Sequence, residues 1–534
     1  MKKQQLKHVA ENQNKPKQVA GSTLENSLVS GFYVPSLLLM YRKEKDKALA
    51  RSQQKCIVVF ALVCCFAVLV ALIFSAVDIV GEDEDGISED NCQNKCRVTL
   101  VENIPEGLGY SENATSHLSL FQGWVNLLNT AEKSVDIVSS SWDLCPDNFT
   151  HGHPSARQGK YLCERLRELK YRNIELKLMS DIQQNTSSLL HDLKKYDAEV
   201  LYLNMTAFTE GRLHASFWVV DRKHIYIGSA SLDRQSLGQM KELGVILYNC
   251  SCLVLDLQRI FALYSSLKYK DNVPQTWSRR LYGLFGTETA LKVQLNETEV
   301  NVFVSNSPKS FCPTDRVTDV DAIFSVIDDA QRFIYVSVMD YMPLVVNNNM
   351  TSYWPYLDGK IREALVLRRI KVRLLISCWK DTHPLTFNFV TSLKAVCSEL
   401  PDCSLEAKVY ILERPKLFAP KELRNASFPR INRSKYMVTD RAAYIGNFDW
   451  VGNEFTHNAG VGLVIKETDM MNDRNGTSII EQLKAVFERD WYSRHARSLQ
   501  ASKIPDCLKQ KLFRLVPNKT DTGNLDGKDQ FTVQ

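Results

Sequence analysis

Hydrophobic and polar positions fall into three regimes along the chain. Residues 1–55 are polar, broken once by the apolar patch FYVPSLLLMY. Residues 56–77, CIVVFALVCCFAVLVALIFSAV, hold no charged side chain. At 1.5 Å per residue such a run forms a helix of about 33 Å, enough to cross a bilayer core. From about residue 100 onward, β-rich apolar runs alternate with stretches of helical period, which predicts an α/β fold.

The later pattern occurs twice. TAEKSVDIVSSSWDL (130–144) answers DAQRFIYVSVMDYMP (329–343), and LRELKYRNIELKLMSD (166–181) answers IREALVLRRIKVRLLISCW (361–379). YDAEVLYL (196–203) answers EAKVYILE (406–413), and RLHASFWVVDRKHIYIGSASLD (212–233) answers RINRSKYMVTDRAAYIGNFDW (430–450). Four segments in the same order predict two pseudo-symmetric halves, each a mixed β-sheet flanked by helices, packed about a pseudo-dyad. The expected boundaries are a tail at 1–55, a transmembrane helix at 56–77, an acidic stalk at 78–99, a first half at 100–290, a second half at 291–515 and a polar tail at 516–534. FVTSLKAVCSEL reads as an amphipathic helix facing the core.

Charge orients this arrangement. Residues 1–55 carry eleven Lys/Arg against four Asp/Glu, a net of +7, so with +5 overall the remainder sums to −2. Bulk charge therefore gives no reason to expect the folded part to bind nucleic acid. Arg42, Lys43, Lys45, Lys47, Arg51 and Lys55 precede the apolar run, and Asp78, Glu82, Asp83, Glu84 and Asp85 follow it. The basic flank predicts a cytosolic N-terminus and a single-pass type II anchor, with the remainder lumenal (ER, Golgi or endosome) or extracellular. Glycosylation sequons agree, all lying beyond the run: Asn113, Asn148, Asn185, Asn204, Asn296, Asn349, Asn425, Asn475 and Asn518, with further matches at Asn249 and Asn432. A glycan on Asn432 would block the cleft described next, unless that residue is buried in a strand.

An oxidising compartment makes disulfides the expected use of the eleven cysteines beyond the anchor. Cys92 with Cys252, Cys96 with Cys250, and Cys378 with Cys507 are the working pairs. His151 and His153 flank a glycine with no supporting carboxylate or cysteine pattern, so a surface loop is expected there and no metal or other cofactor.

In HASFWVVD, His214 and Ser216 are two apart and Asp221 lies five further on; in NRSKYMVTD, Arg433, Lys435 and Asp440 repeat that spacing. On a strand, alternate residues share a face, so the repeat brings four polar side chains to one cleft. Taken singly, each segment reads equally well as a wet edge strand. Asp143 and Asp340 are expected to order the cleft, and Trp142 and Tyr341 to pack in the core.

These segments, with Gly228, Ser229 and Gly446 downstream, resemble the H-x-K-x4-D and G-[ST]-x-N motifs of the phospholipase D superfamily, from about residue 92 to 515. The anchor orientation, IGSASLD and KELG are similar to its type II membrane branch, which includes endolysosomal 5′ exonucleases of single-stranded nucleic acid and a catalytically degenerate member. The resemblance implies a phosphodiesterase frame in which one His attacks phosphorus, a second trades the proton, lysines hold the phosphate oxygens, and no metal is needed. Carried over by position, His214 and Asp221 match the first motif but Ser216 replaces its lysine. Lys435 and Asp440 match the second but Arg433 replaces its histidine. Ser231 and Asp449 stand where asparagine is expected, and Asn447 where Ser or Thr is.

Arginine stays protonated at any physiological pH and cannot act as a base. Losing a general acid/base costs about 10² to 10⁴ in rate, and losing one oxyanion donor about 10² to 10³. The expectation is a pseudoenzyme in which His214, Ser229, Arg433 and Lys435 remain as phosphate-binding candidates. Two other readings stay open: a weak phosphodiesterase on nucleic acid or phospholipid through His214 and Lys435, and a decoy that pairs, as a homodimer or with an active relative.

Overall fold

The computed structural model describes residues 58–71 and most of 91–500, together with Ser88 and Cys507; residues 107, 112–113, 146–153, 269, 348–349, 380, 413–429 and 469–477 are not among those described. The chain separates into two compact units, Met1–Ala76 and Val77–Gln534. In the first, residues 58–71 form a helix whose side chains are almost all exposed. Among the described residues, no helix is long and apolar enough to cross a membrane. The polar tails, the sequons at Asn113, Asn148, Asn349, Asn425, Asn475 and Asn518, and His151 and His153 lie outside the described residues.

The second unit is mixed α/β around a large mixed sheet. Its elements run β1 (Lys95–Asn103), α1 (Leu120–Thr130), β2 (Ser134–Val138), α2 (Pro154–Tyr171), β3 (Glu175–Asp181), β4 (Glu199–Leu203), β5 (Phe217–Val220), β6 (His224–Gly228), β7 (Glu242–Tyr248) and α3 (Ser251–Ser266). The pattern then recurs as β8 (Leu291–Leu295), β9 (Thr298–Ser307), α4 (Asp319–Asp329), β10 (Phe333–Val338), α5 (Tyr356–Val366), β11 (Lys371–Ser377), α6 (Pro384–Ser398), β12 (Leu405–Tyr410), β13 (Tyr436–Thr439), β14 (Ala442–Gly446), α7 (Gly452–His457), β15 (Gly460–Glu467), α8 (Ile479–Tyr492) and β16 (Ala496–Ser498).

Hydrogen bonding orders the first set β1-β7-β6-β5-β2-β3-β4. The second set is ordered β9-β15-β14-β13-β10-β11-β12, strand for strand the same. In both, only the last two pairings are parallel; the first of them is reached through α2 or α5 as a crossover, the second through the short helix Ser188–Lys194 or α6. A short parallel pairing of β1 with β8, Lys95 opposite Gln294, joins the two. The first strand thus begins inside the stretch 78–99 read as stalk. The reason is visible in its pattern: Cys96, Val98 and Leu100 alternate inward.

Each set buries two faces. Outer clusters pack α1 and α2 on one sheet and α4, α5 and α6 on the other, while α3 and α8 share a central cluster with the inner faces of both. Local rules set the helix limits. Thr318 caps α4 through its hydroxyl, and Ser478 with Glu481 makes a reciprocal capping box at the start of α8. Arg172 donates to the carbonyls of Leu128 and Ala131 at the end of α1, and Arg368 does the same to Ile327 and Ala330 at the end of α4.

Two glycine pairs are forced by packing. Gly228 faces Gly244 across β6 and β7, with the ring of Tyr226 lying over them. Gly446 faces Gly462 across β14 and β15 under Tyr444. A Cβ at Gly244 or Gly462 would run into the tyrosine ring.

The structure pairs Cys92 with Cys252, Cys96 with Cys250 and Cys378 with Cys507, and adds Cys145–Cys163 and Cys397–Cys403, which the sequence reading did not assign. Cys312 is free.

Candidate functional site

Both motif segments lie just ahead of strands, not within them. Residues 214–216 precede β5 and 433–435 precede β13. The alternation holds nonetheless, because Leu213, Ala215 and Phe217 all enter the central core. Backbone exchange holds each segment against the opposite half. His214 N donates to Ala459 O at 2.8 Å and Ala459 N to Arg212 O at 2.9 Å. Reciprocally, Arg433 N donates to Lys241 O and Lys241 N to Ile431 O, both at 2.8 Å. The two segments therefore converge, as the repeat implied.

The motif aspartates build this frame without entering the cleft. Asp221 accepts from the N–H groups of Glu132, Lys133 and Ser134 at 2.7–2.9 Å, fixing the entry to β2. Asp440 accepts from those of Gln331, Arg332 and Phe333 at 2.9–3.4 Å, fixing the entry to β10. Burial alone would raise the Asp440 pKa, but the Arg332 and Gln331 N–H groups outweigh it and hold the carboxyl below its ordinary range.

The cleft holds one imidazole among its motif positions. His214 Nδ1 lies 2.7 Å from Glu454 Oε2, on α7 of the other half. A carboxylate can only accept, so Nδ1–H donates and Nε2 is left to the cleft. Burial would raise the Glu454 pKa, but His214, Lys435 and the Asn458 amide hold it down to about 2. His214 thus keeps the orientation of a nucleophile.

Its would-be partners do not match. Ser216 is buried and donates to Ala230 O, so it supplies no charge. Arg433 Nη1 sits 3.6 Å from the buried Glu242 Oε1. Burial opposes the Arg433 charge, but Glu242, Asp233 and Asp449 outweigh it and raise its pKa above the ordinary arginine value. Lys435 Nζ lies 3.7 Å from Asp449 Oδ2, both side chains almost wholly buried. Each motif cation or imidazole therefore faces a resident carboxylate.

The downstream positions are structural. Asn447 Nδ2 donates to Gly228 O at 2.8 Å and its Oδ1 accepts from Val461 N at 2.8 Å, which pins the two halves together. Ser229 donates to Glu242 Oε2 at 2.6 Å, and Ser231 is hydrogen bonded to Ser140 at 2.6 Å. Trp142 and Tyr341 are buried in the core, while Asp143 pairs with Arg234 and Asp340 accepts from Thr386.

Glycan sites divide by exposure. Asn432 is 1 % exposed, so no glycan reaches the cleft from it. Asn185 and Asn204 are exposed. Asn296, also exposed, spends its amide on Val98 N and O.

The sequence reading missed Glu242 and Glu454. Glu242 lies in KELG, but no sequence spacing ties it to Arg433. Glu454 carries no spacing signal, since it reaches His214 only through the fold.

Compared with known proteins, residues 111–415 match the family described as "PLD3/4, PLD-like domain". The chain is 63% identical over 515 residues to human (Homo sapiens) "Inactive phospholipase D5", covering 96% of this chain and 93% of that protein. It is 39% identical over 467 residues to "5'-3' exonuclease PLD3" of Xenopus tropicalis, covering 85% and 93%. Among solved structures, phosphatidylserine synthase of Haemophilus influenzae Rd KW20 aligns at 12% identity with a TM-score of 0.46, over 74% of this chain and 90% of that one.

Proposed function

This chain belongs to the PLD3/PLD4-like phospholipase D family, and on that premise we propose that it is a catalytically inactive member whose role is to bind a partner or a ligand. One observation carries the reading: Arg433, facing Glu242, stands where the chemistry needs a group that trades a proton. A phosphohistidine formed on His214 would meet the permanently charged Arg433 in place of the second imidazole that activates water, so turnover stops even if attack occurs. The name of the human relative supports the same conclusion.

We read the molecule as two pseudo-symmetric phospholipase D-like halves, 100–290 and 291–515, about a pseudo-dyad. The matching strand orders support that division. A transmembrane helix at 56–77, a cytosolic tail and a glycosylated lumenal or extracellular domain remain the proposal for topology. The basic flank, the sequons beyond the run and the five disulfides support it. Partners of a protein built this way include a second copy, an active relative or a phosphorylated ligand.

A second reading keeps a specific observation behind it. The His214–Glu454 pair orients the imidazole as a nucleophile requires, and the Xenopus relative is named an exonuclease. The test is turnover of a 5′ single-stranded oligonucleotide and of a small chromogenic diester by the full chain in detergent, beside His214→Ala. Silence in both is the expected result; wild-type turnover lost in His214→Ala would establish the second reading.

A further inference from the structure

Donors and acceptors in the cleft do not balance. The ammonium of Lys435 has three donors, yet its carboxylate neighbour Asp449 Oδ2 is 3.7 Å away, beyond hydrogen-bond reach. Arg433 and Glu242 are likewise 3.6 Å apart. No side-chain hydrogen bond joins either cation to a partner among the described residues.

The carboxylates, in contrast, are engaged elsewhere. Glu242 accepts from Ser229 at 2.6 Å and Ser236 at 3.2 Å. Asp449 Oδ1 accepts from Met339 N at 2.6 Å and Asp340 N at 3.3 Å. Glu454 is held by His214 and Asn458. What the cleft lacks is acceptor oxygen near the buried Lys435 and the partly exposed Arg433. Charge keeps such oxygens out, because Glu242, Asp449, Glu454 and Asp233 face only Arg433, Lys435 and His214.

We propose that Asp449 and Glu242 are built-in counter-ions that close an oxyanion site at Lys435 and Arg433, and that the site takes a phosphate-class anion once Asp449 is neutralised. This rests on the reading of a silent but preserved cleft, and adds its regulation. The groups facing Asp449 are Lys435, Arg433, Glu454, His214 and the Met339 and Asp340 N–H groups; those facing Glu242 are Arg433, Ser229, Ser236, Lys435, Asp233 and Tyr226. Burial raises both carboxyls above their ordinary range, against the pull of Lys435 and Arg433 respectively. On acidification these two therefore take up protons ahead of Glu454. An acidic compartment would open the site and a neutral one would close it.

The test is sulfate binding by the full chain in detergent, read calorimetrically, since the charge of sulfate does not change between pH 5 and 7.5. Wild type should bind at least about tenfold more weakly at pH 7.5 than at pH 5. Asp449→Asn should bind at pH 7.5, and Asp449→Asn with Lys435→Ala should lose that binding. A 5′-phosphorylated trinucleotide and dihexanoyl phosphatidic acid, run in parallel, distinguish a nucleotide from a lipid source of the phosphate; tighter binding of either than sulfate supports the site. Folded Asp449→Asn that binds nothing, or wild type that binds equally at both pH values, overturns the proposal. If Asp449→Asn does not fold, the wild-type pH comparison decides. Turnover is not read, so this can fail while the inactive reading stands.

Discussion

The two halves agree where they hold backbone and differ where they would do chemistry. Asp221 and Asp440 gather three N–H groups each, Arg172 and Arg368 close equivalent helices, and Tyr226 and Tyr444 cover equivalent glycine pairs. In the cleft, His214 stands opposite Arg433, Ser216 opposite Lys435 and Ser231 opposite Asp449. The difference teaches that the frame does not depend on the reactive groups. The cleft can give up its chemistry, because its ion pairs and Asn447 still join the halves.

The largest expected effect tests the agreement. Asp221→Ala and Asp440→Ala each orphan backbone donors at a strand entry, so each should cost about 2–4 kcal/mol, read from the urea midpoint. Unequal losses would break the equivalence. Next come Gly244→Ala and Gly462→Ala, which force a Cβ against a tyrosine ring and should each cost about 1–3 kcal/mol. A third prediction exploits a difference. The first residue of α1 is Leu120, whereas α4 begins with Asp319, whose buried carboxyl is pushed up to about 7. Unfolded, that group titrates near its ordinary value, so folding favours its neutral form. Its stabilisation is full below about pH 4 and is lost as pH rises through about 7. Melting temperature should therefore fall between about pH 4 and 7 and level off above, and Asp319→Asn should flatten that fall. The smallest effect is Ser216→Ala, which removes one hydrogen bond to Ala230 O and should cost about 1 kcal/mol.

Periodicity made the repeat legible, since β2 and β10 both read as apolar runs ahead of an aromatic, and each is buried along nearly its whole length. The motif spacing likewise placed His214, Arg433 and Lys435 in one cleft. Their strand assignment was wrong because the pairing partner lies in the other half, which sequence alternation cannot reveal. Glu242 and Glu454 were illegible as site residues for the same reason. An acid two hundred residues away in sequence becomes a counter-ion only once both sheets are packed. The Cys145–Cys163 and Cys397–Cys403 bridges were hidden because spacing alone leaves many pairings open.

The central claim is that an intact frame has lost its chemistry through residue identity, and a reversion series in the full chain tests it most directly. Wild type, Ser216→Lys with Arg433→His, and that pair with Asp449→Asn would be assayed on a chromogenic phosphodiester. The account predicts silence in wild type, little or no turnover in the double variant while Asp449 still faces Lys435, and clear turnover in the triple. Turnover in wild type, or silence in a correctly folded triple variant, would contradict it.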